Sequence, residues 1–268
     1  MQVDLATCKT TRSSPPSVTG EPTVRVAKDS QSIVFEGKVV LKIHENHKGF
    51  PAGSPGPILF EGTSPDRKWI LYAIDPQGSA SLAADGLVLK AIPAAGGRSH
   101  EVAGGLLYPD YRSWCDFRTL VVIAGGSRMA VDNKRPILVH LPSWQGRNLR
   151  PQDYRRAFGS VECAPDGNSV VVQEAPQSTD GSFADAPWSL WRVGLDGTST
   201  RLTSPPRGYA DESPHFSPDQ STLYFVRARR GDGRLYALRG GRVVGPLLTF
   251  GHQDGYYGHT AWPYTVRR

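Results

Sequence analysis

The sequence has few cysteines and methionines and no long apolar run. Its 268 residues include three cysteines and two methionines, and no stretch of about 18 apolar residues that would span a membrane as a helix. Cys8, Cys115 and Cys163 lack the close spacing of a metal site, and an odd number leaves one thiol over. We expect Cys115 and Cys163 to be buried free thiols, with a disulfide as the alternative.

Motifs of several common catalytic classes are also missing. The chain contains no G-x-S-x-G, H-E-x-x-H or C-x-x-C sequence and no P-loop, which argues against the enzymes built on those motifs. The stretch from His44 to His47 holds two histidines and Glu45. Its surroundings are strand and loop rather than the helix that its spacing would need, so we interpret it as an exposed turn. We therefore expect no metal and no cofactor.

Glycine and proline are frequent, and the charge is mildly basic. The chain has 29 glycines, 22 prolines and a formal net charge of +6, a composition that favours many short strands joined by turns. The excess arginines fall in loops and strand ends, without the interleaved aromatics of a nucleic-acid groove. We interpret them as solvated surface, with an anion-binding patch as the alternative. We expect a monomer without a nucleic-acid partner.

A turn recurs along the whole chain. Asp66, Asp116, Asp166 and Asp219 lie 50, 50 and 53 residues apart, and the next apolar strand starts four positions after each. A weaker copy occurs at Asp29. Each unit continues as further short strands separated by turns, which indicates four antiparallel strands per unit. A fixed period of this length is typical of propellers rather than sandwiches.

The repeat predicts an all-β chain with one β-propeller over residues 23–268, preceded by a flexible leader or linker over residues 1–22. Four full units and one unit shared by the two chain ends give five blades, and six remain open if residues 23–57 hold more strands. A shared closing blade would leave no unpaired edge strand. Three longer connections, each between the second and third strands of a unit, are expected on one face.

The best-preserved repeat resembles the TolB-type (WD40-like) β-propeller family. Asp211, Pro214, Phe216 and Ser217 to Asp219 match the opening of its blade, and Asp196 to Thr203 contain its closing Asp-Gly and Arg-Leu-Thr. Gln220 replaces the family glycine, and no segment like the amino-terminal domain of TolB is recognised. The resemblance implies a propeller in the cell envelope or an exported location, with the cytoplasm still open. The translocation role of TolB is not carried over.

Candidate functional residues are those that the repeat does not explain. The turn aspartates recur in every unit, so we interpret them as structural, and Asp211 fits the family framework. Three clusters break the repeat: Glu212 with His215; Asp180, Phe183, Asp185 and Trp188 in the longest connection; and His252, Asp254, Tyr256, Tyr257, His259 and Trp262 near the end. For the last cluster, aromatic packing that seals the closing blade is the alternative.

These candidates support two hypotheses. The first is a non-catalytic propeller that binds a protein or small ligand through one face, with ligand contacts from Tyr256, Trp262, Asp254, His252 and Trp188. The second is a propeller hydrolase or lyase, with a glycan as one candidate substrate, that acts in the central channel with catalytic candidates Glu212, His215, Tyr257 and His259. Glycosidases use two carboxylates, and Glu162 and Glu212 precede consecutive turn aspartates.

Overall fold

The computed structural model describes residues 2–4, 9–11, 24–27, 32–42, 58–75, 84–178, 186–229 and 232–251. These residues form short antiparallel strands and a 3-10 turn at Pro109–Tyr111. The chain divides into two compact units. The amino-terminal unit holds residues 18–128 and 137–147, and the carboxy-terminal unit holds residues 1–17, 129–136 and 148–268.

Two sheets form most of the amino-terminal unit. The three-stranded sheet contains β3 (Val24–Val26), β4 (Ser32–Phe35) and β5 (Lys38–Lys42). The eight-stranded sheet contains β6 (Ile58–Thr63), β7 (Trp69–Ile74), β8 (Leu87–Pro93), β9 (His100–Gly105), β10 (Arg112–Trp114), β11 (Thr119–Ala124), β12 (Arg135–His140) and β13 (Gln145–Asn148). Two predicted repeats are continuous in this sheet, because β11 pairs with β9 at Ala124 and Gly105.

The carboxy-terminal unit contains two four-stranded antiparallel sheets, which confirms the predicted strand count for the last two full repeats. The first is β14 (Arg156–Cys163), β15 (Ser169–Pro176), β16 (Ser189–Gly194) and β17 (Ser199–Arg201). The second is β18 (Ala210–Phe216), β19 (Leu223–Arg229), β20 (Asp232–Arg239) and β21 (Arg242–Gly251). Within the predicted leader, β1 (Gln2–Asp4) pairs with β2 (Lys9–Thr11).

The repeated aspartates close the turns between the first and second strands. Asp166 accepts hydrogen bonds from the backbone N–H groups of Asn168 and Ser169. Asp219 accepts hydrogen bonds from the hydroxyl of Ser217 and the backbone N–H of Ser221, and these bonds lower the pKa of the Asp219 carboxyl. A short side chain that bonds the backbone just ahead of it is a common way to fix a turn, so these aspartates have the structural role that the repeat indicates.

The residue after each of these two aspartates has left-handed backbone geometry. Gly167 has φ of 66° and Gln220 has φ of 63°. Glycine adopts this region freely, whereas a side chain there costs about 1 kcal/mol or more. We expect Gln220→Gly to raise the free energy of unfolding by about 0.5 to 1 kcal/mol, measured by urea denaturation. The exposed change Gln145→Gly, in strand β13, should instead destabilise; a loss of stability in Gln220→Gly would contradict the strain argument.

The core of the carboxy-terminal unit lies between its two sheets. Val171 and Leu190 of one sheet pack against Leu223 and Phe225 of the other. Each is nearly fully buried, and burying a side chain of this size stabilises a fold by about 1.5 to 3 kcal/mol. This packing sets β14 and β18, the first strands of the two sheets, beside each other.

Candidate functional site

Two ionisable side chains meet between β14 and β18, the first strands of the two sheets. Glu162 and His215 are each the last residue but one of their strand. Glu162 Oε2 lies 3.7 Å from His215 Nδ1, and 7% of the glutamate side chain is exposed against 41% of the imidazole. The arrangement is therefore a buried carboxylate beside a half-exposed imidazole. The sequence repeat marks both residues as candidates, but it does not show that they meet.

A β-bulge separates His215 from the other predicted candidate, Glu212. The pairing of β18 with β19 shifts between Glu212, which lies opposite Val226, and His215, which lies opposite Tyr224. Ser213, inside the bulge, has φ of 50°. Bulges bend a strand and redirect its side chains. Glu212 is buried, with 6% of its surface exposed, so the bulge leaves His215 as the more accessible of the two.

The Glu162 and His215 pair can orient one proton donor or acceptor. A carboxylate that faces one ring nitrogen restrains the orientation of the ring and leaves the other nitrogen for a ligand. Proton transfer in a reaction would also need a substrate within hydrogen-bond reach of that nitrogen. In the described ranges of the chain, no three His, Cys, Asp or Glu side chains are grouped so that they would hold a metal ion.

Asp211 is held in a buried bidentate ion pair. Its two carboxylate oxygens accept hydrogen bonds from Arg227 Nε at 2.7 Å and Arg227 Nη2 at 2.9 Å. The carboxylate is fully buried and 14% of the guanidinium side chain is exposed. These hydrogen bonds raise the pKa of the Arg227 guanidinium. The pair joins β18 to β19, so Asp211 has a structural role in this sheet.

The preceding sheet carries the reverse charge at the position of Arg227. Glu174 precedes Arg227 by 53 residues, the same interval that separates Asp166 from Asp219. Only 2% of the Glu174 side chain is exposed, and its carboxylate lies 2.7 Å from Arg156 Nε and 3.4 Å from Arg150 Nη1. Sequence periodicity does not reveal this ion network, because the partners come from a loop and from the first strand.

The connection over residues 125–134, between β11 and β12, packs tightly against neighbouring elements. Arg128 forms an ion pair with Asp85 of the preceding connection. The Ser178 N–H donates to the Val131 carbonyl at 2.9 Å, which ties this connection to the start of the following one. The longer connections do join second to third strands, as the repeat predicts.

Trp188, a predicted ligand contact, packs against apolar side chains of the carboxy-terminal unit. It contacts a cluster that includes Ala130, Val131, Ala157 and Ala175, and only 4% of its surface is exposed. Its carbonyl accepts a hydrogen bond from the Asp211 N–H at 3.0 Å. Little indole surface remains for a ligand, so the geometry favours a packing role for this residue.

Lys134 is a fully buried cation in the same connection. Its Nζ donates to the carbonyl oxygens of Met129 and Asp132, at 3.0 Å each, and none of its surface is exposed. Burial lowers the pKa of the ammonium from 10.5 to about 8. This burial could not be predicted from the sequence pattern, because the groups that accept the hydrogen bonds of Lys134 are backbone carbonyls.

The lowered pKa of Lys134 has a consequence for stability. Between about pH 8 and 10.5 the unfolded chain holds a proton that the folded chain has lost, so stability should rise with pH across that window, by up to about 3 kcal/mol. We expect urea denaturation to show that the free energy of unfolding rises more with pH in the wild type than in Lys134→Met, which lacks the titrating ammonium. Identical pH profiles for the two proteins would contradict it.

The two described cysteines correct one expectation. Cys115 and Cys163 are both disulfide-bonded, not free thiols as the sequence analysis expected. Their irregular spacing in the repeat concealed this, because a disulfide depends on distances between side chains rather than on sequence intervals.

Comparison with known proteins identifies the architecture. No protein-family model matches the sequence, and no curated protein matches it significantly. Among solved structures, a TolB from Agrobacterium tumefaciens is 16% identical with a TM-score of 0.50, over 86% of this chain and 81% of that chain. The chain has a TolB-like β-propeller fold. A puromycin-hydrolyzing peptidase from Mycobacterium tuberculosis is also 16% identical, with a TM-score of 0.54, over 84% of this chain but 37% of that chain.

The TolB-like fold is compatible with both binding proteins and enzymes, so function depends on the site. Several predicted contacts lie outside the described residues: Asp180, Phe183, Asp185, His252, Asp254, Tyr256, Tyr257, His259 and Trp262. The described part of the chain contains no helix long and apolar enough to cross a membrane. The candidate functional residues that the structure describes therefore all lie in the carboxy-terminal unit.

Proposed function

We propose that this protein is a non-catalytic TolB-like propeller that binds a protein or small ligand through one face. The observation that supports this proposal most directly is that an ion pair and a hydrogen bond hold the connections between second and third strands in place. Residues 125–134 are tied to the preceding connection by the Asp85 to Arg128 ion pair and to the following one by the Ser178 to Val131 hydrogen bond. Loops that a rigid sheet scaffold fixes in place are common binding surfaces.

The ends of the strands beside these connections carry exposed side chains suited to recognition. Tyr154 is 64% exposed, and Arg155 stacks over its ring at 5.7 Å. Arg135 donates to the carbonyl oxygens of Tyr154 and Arg156 and to Gln177 Oε1, which fixes the loop that presents Tyr154. Aromatic and arginine side chains are enriched where proteins bind partners.

The finer architecture belongs to the same proposal. Five blades closed by a unit shared between the chain ends would account for the repeats, with residues 1–22 as a leader and residues 23–268 as the propeller. The carboxy-terminal candidates His252, Asp254, Tyr256 and Trp262 would then lie in the closing blade and add to the binding surface. We expect a monomer, because no obligate partner is needed to explain the repeats.

An exported or envelope location is part of the proposal. The TolB resemblance implies it, and the disulfide-bonded Cys115 and Cys163 support it, because disulfides persist in oxidising compartments. Thiol titration of the unfolded, unreduced protein is expected to give one reactive thiol per chain. Three reactive thiols would contradict the bonded state.

A second function is favoured by one observation, the Glu162 and His215 pair. A half-exposed imidazole oriented by a buried carboxylate is a common arrangement for general acid–base catalysis. In this alternative the protein is a propeller hydrolase or lyase, in which His215 acts with Glu212, Tyr257 or His259.

A turnover assay separates the two functions. The purified protein would be tested on p-nitrophenyl glycosides and esters, aminoacyl p-nitroanilides and oligogalacturonate. The non-catalytic proposal expects no rate above that of buffer. Turnover that His215→Ala abolishes, and that the exposed control Arg239→Ala retains, would establish the enzyme and overturn the proposal.

A further inference from the structure

A group of charged and aromatic residues lies at the end of strands β18 to β20 opposite the Asp219 turn. We call Tyr209, Arg227, Arg229, Asp232 and Arg234 the arginine rim. Arg227 pairs with Arg234, and Arg229 with Asp232, across β19 and β20. Directly opposed residues project from the same face of a sheet, so these four side chains share one face.

The arginine rim has more positive charge than its carboxylates neutralise. Asp211 is occupied by the bidentate pair with Arg227. Asp232 remains for both other arginines, with its Oδ2 at 2.8 Å from Arg234 Nη2 and 3.5 Å from Arg229 Nε. Among the described residues, the three guanidinium groups of the arginine rim therefore face two carboxylates, those of Asp211 and Asp232, which leaves one net positive charge.

The surplus charge is held in place and is accessible. The Arg229 guanidinium lies 5.2 Å from the centre of the Tyr209 ring, a cation–π contact, and 52% of the Arg229 side chain is exposed. Beside it, 34% of the Arg234 side chain is exposed. A guanidinium has five N–H donors in a planar fork, so donors remain for an incoming acceptor after Asp232 is satisfied.

We propose that the arginine rim binds the carboxylate of an acidic ligand, with Arg229 and Arg234 as its donors. The inference rests on the proposed binding function and gives the chemical class of its ligand. A carboxylate is planar and carries one negative charge, which matches both the guanidinium fork and the single surplus charge. A nucleic acid would need several unneutralised cations along a groove.

The test uses a free carboxylate and a peptide carboxylate to distinguish a small-molecule ligand from an acidic protein segment. Acetate and the blocked peptide acetyl-Gly-Glu-Gly-amide would be titrated into ¹⁵N-labelled protein, with the Arg side-chain Nε–H resonances as the readout. We expect saturable shifts with the glutamate peptide and none with its glutamine counterpart. Saturation by acetate with equal affinity would indicate a small carboxylate as ligand, whereas a preference for the peptide would indicate an acidic protein segment.

Variants assign the binding to the arginine rim. Arg229→Gln and Arg234→Gln are expected to weaken binding at least tenfold. Arg239→Gln, at the exposed opposite end of β20, is the matched control and should stay within twofold of the wild type. Circular dichroism and melting temperature would establish that each variant folds.

Three results would overturn the inference. These are no saturable shift, unchanged affinity in both rim variants, or inorganic phosphate binding as tightly as the glutamate peptide. None of them bears on catalysis. A protein that fails this test but turns over no substrate would lose the arginine rim as its site and keep the proposed binding function, whereas turnover would contradict that function.

Discussion

Replacing Asp211 with Asn is expected to lower the free energy of unfolding by about 3 to 5 kcal/mol, because it leaves the charge of Arg227 without a partner in a buried site. The carboxylate is fully buried, and both of its oxygens are bonded to Arg227. Urea denaturation followed by circular dichroism measures the effect. The change should be larger than that of any exposed carboxylate in the chain.

Two further variants make the Asp211 experiment decisive. Glu101→Gln removes an exposed carboxylate on β9 and should change stability by less than about 0.5 kcal/mol. The double variant Asp211→Leu with Arg227→Met removes both charges and should recover most of the loss, since replacing both partners of a buried pair is often nearly neutral. A loss below about 1 kcal/mol in Asp211→Asn would show that the pair is not a structural support.

Glu174→Gln is expected to cost about 3 kcal/mol for a related reason. Glu174 is the buried carboxylate between Arg150 and Arg156, and glutamine keeps its shape while removing its charge. Arg150 retains a second carboxylate, Asp153, so we expect a smaller loss than for Asp211→Asn. Denaturation in urea gives the value.

The matched control for Glu174 is Asp153→Asn, which removes the more exposed partner of Arg150. Asp153 has 32% of its side chain exposed, and partly exposed ion pairs contribute about 1 kcal/mol or less. Equal losses in the two variants would contradict the view that burial determines the cost.

The sequence was sufficient to predict the strands and turns of the last two full repeats. Each turn aspartate bonds backbone groups within three residues of itself, and each strand pairs with a close neighbour in the chain. Interactions between residues close together in the chain recur with the period of the sequence repeat, so the sequence reveals them. The longer connections could also be predicted, because each of them interrupts the regular interval between strands.

The candidate site could be predicted only in part. Glu162 and His215 are 53 residues apart, and their contact depends on how two sheets pack and on where the bulge in β18 lies. Glu174 and Arg227 occupy equivalent positions with opposite charge, so neither resembles a repeated feature. The buried Lys134 is satisfied by backbone carbonyls, which leave no signal in the side-chain pattern.

A crystal structure of the protein with acetyl-Gly-Glu-Gly-amide bound would show directly where an acidic ligand binds. We expect the glutamate carboxylate within hydrogen-bond distance of Arg229 and Arg234, at about 2.7 to 3.0 Å, and no ligand at His215. A carboxylate bound beside Glu162 and His215, with the arginine rim empty, would contradict binding through this face and favour the catalytic alternative.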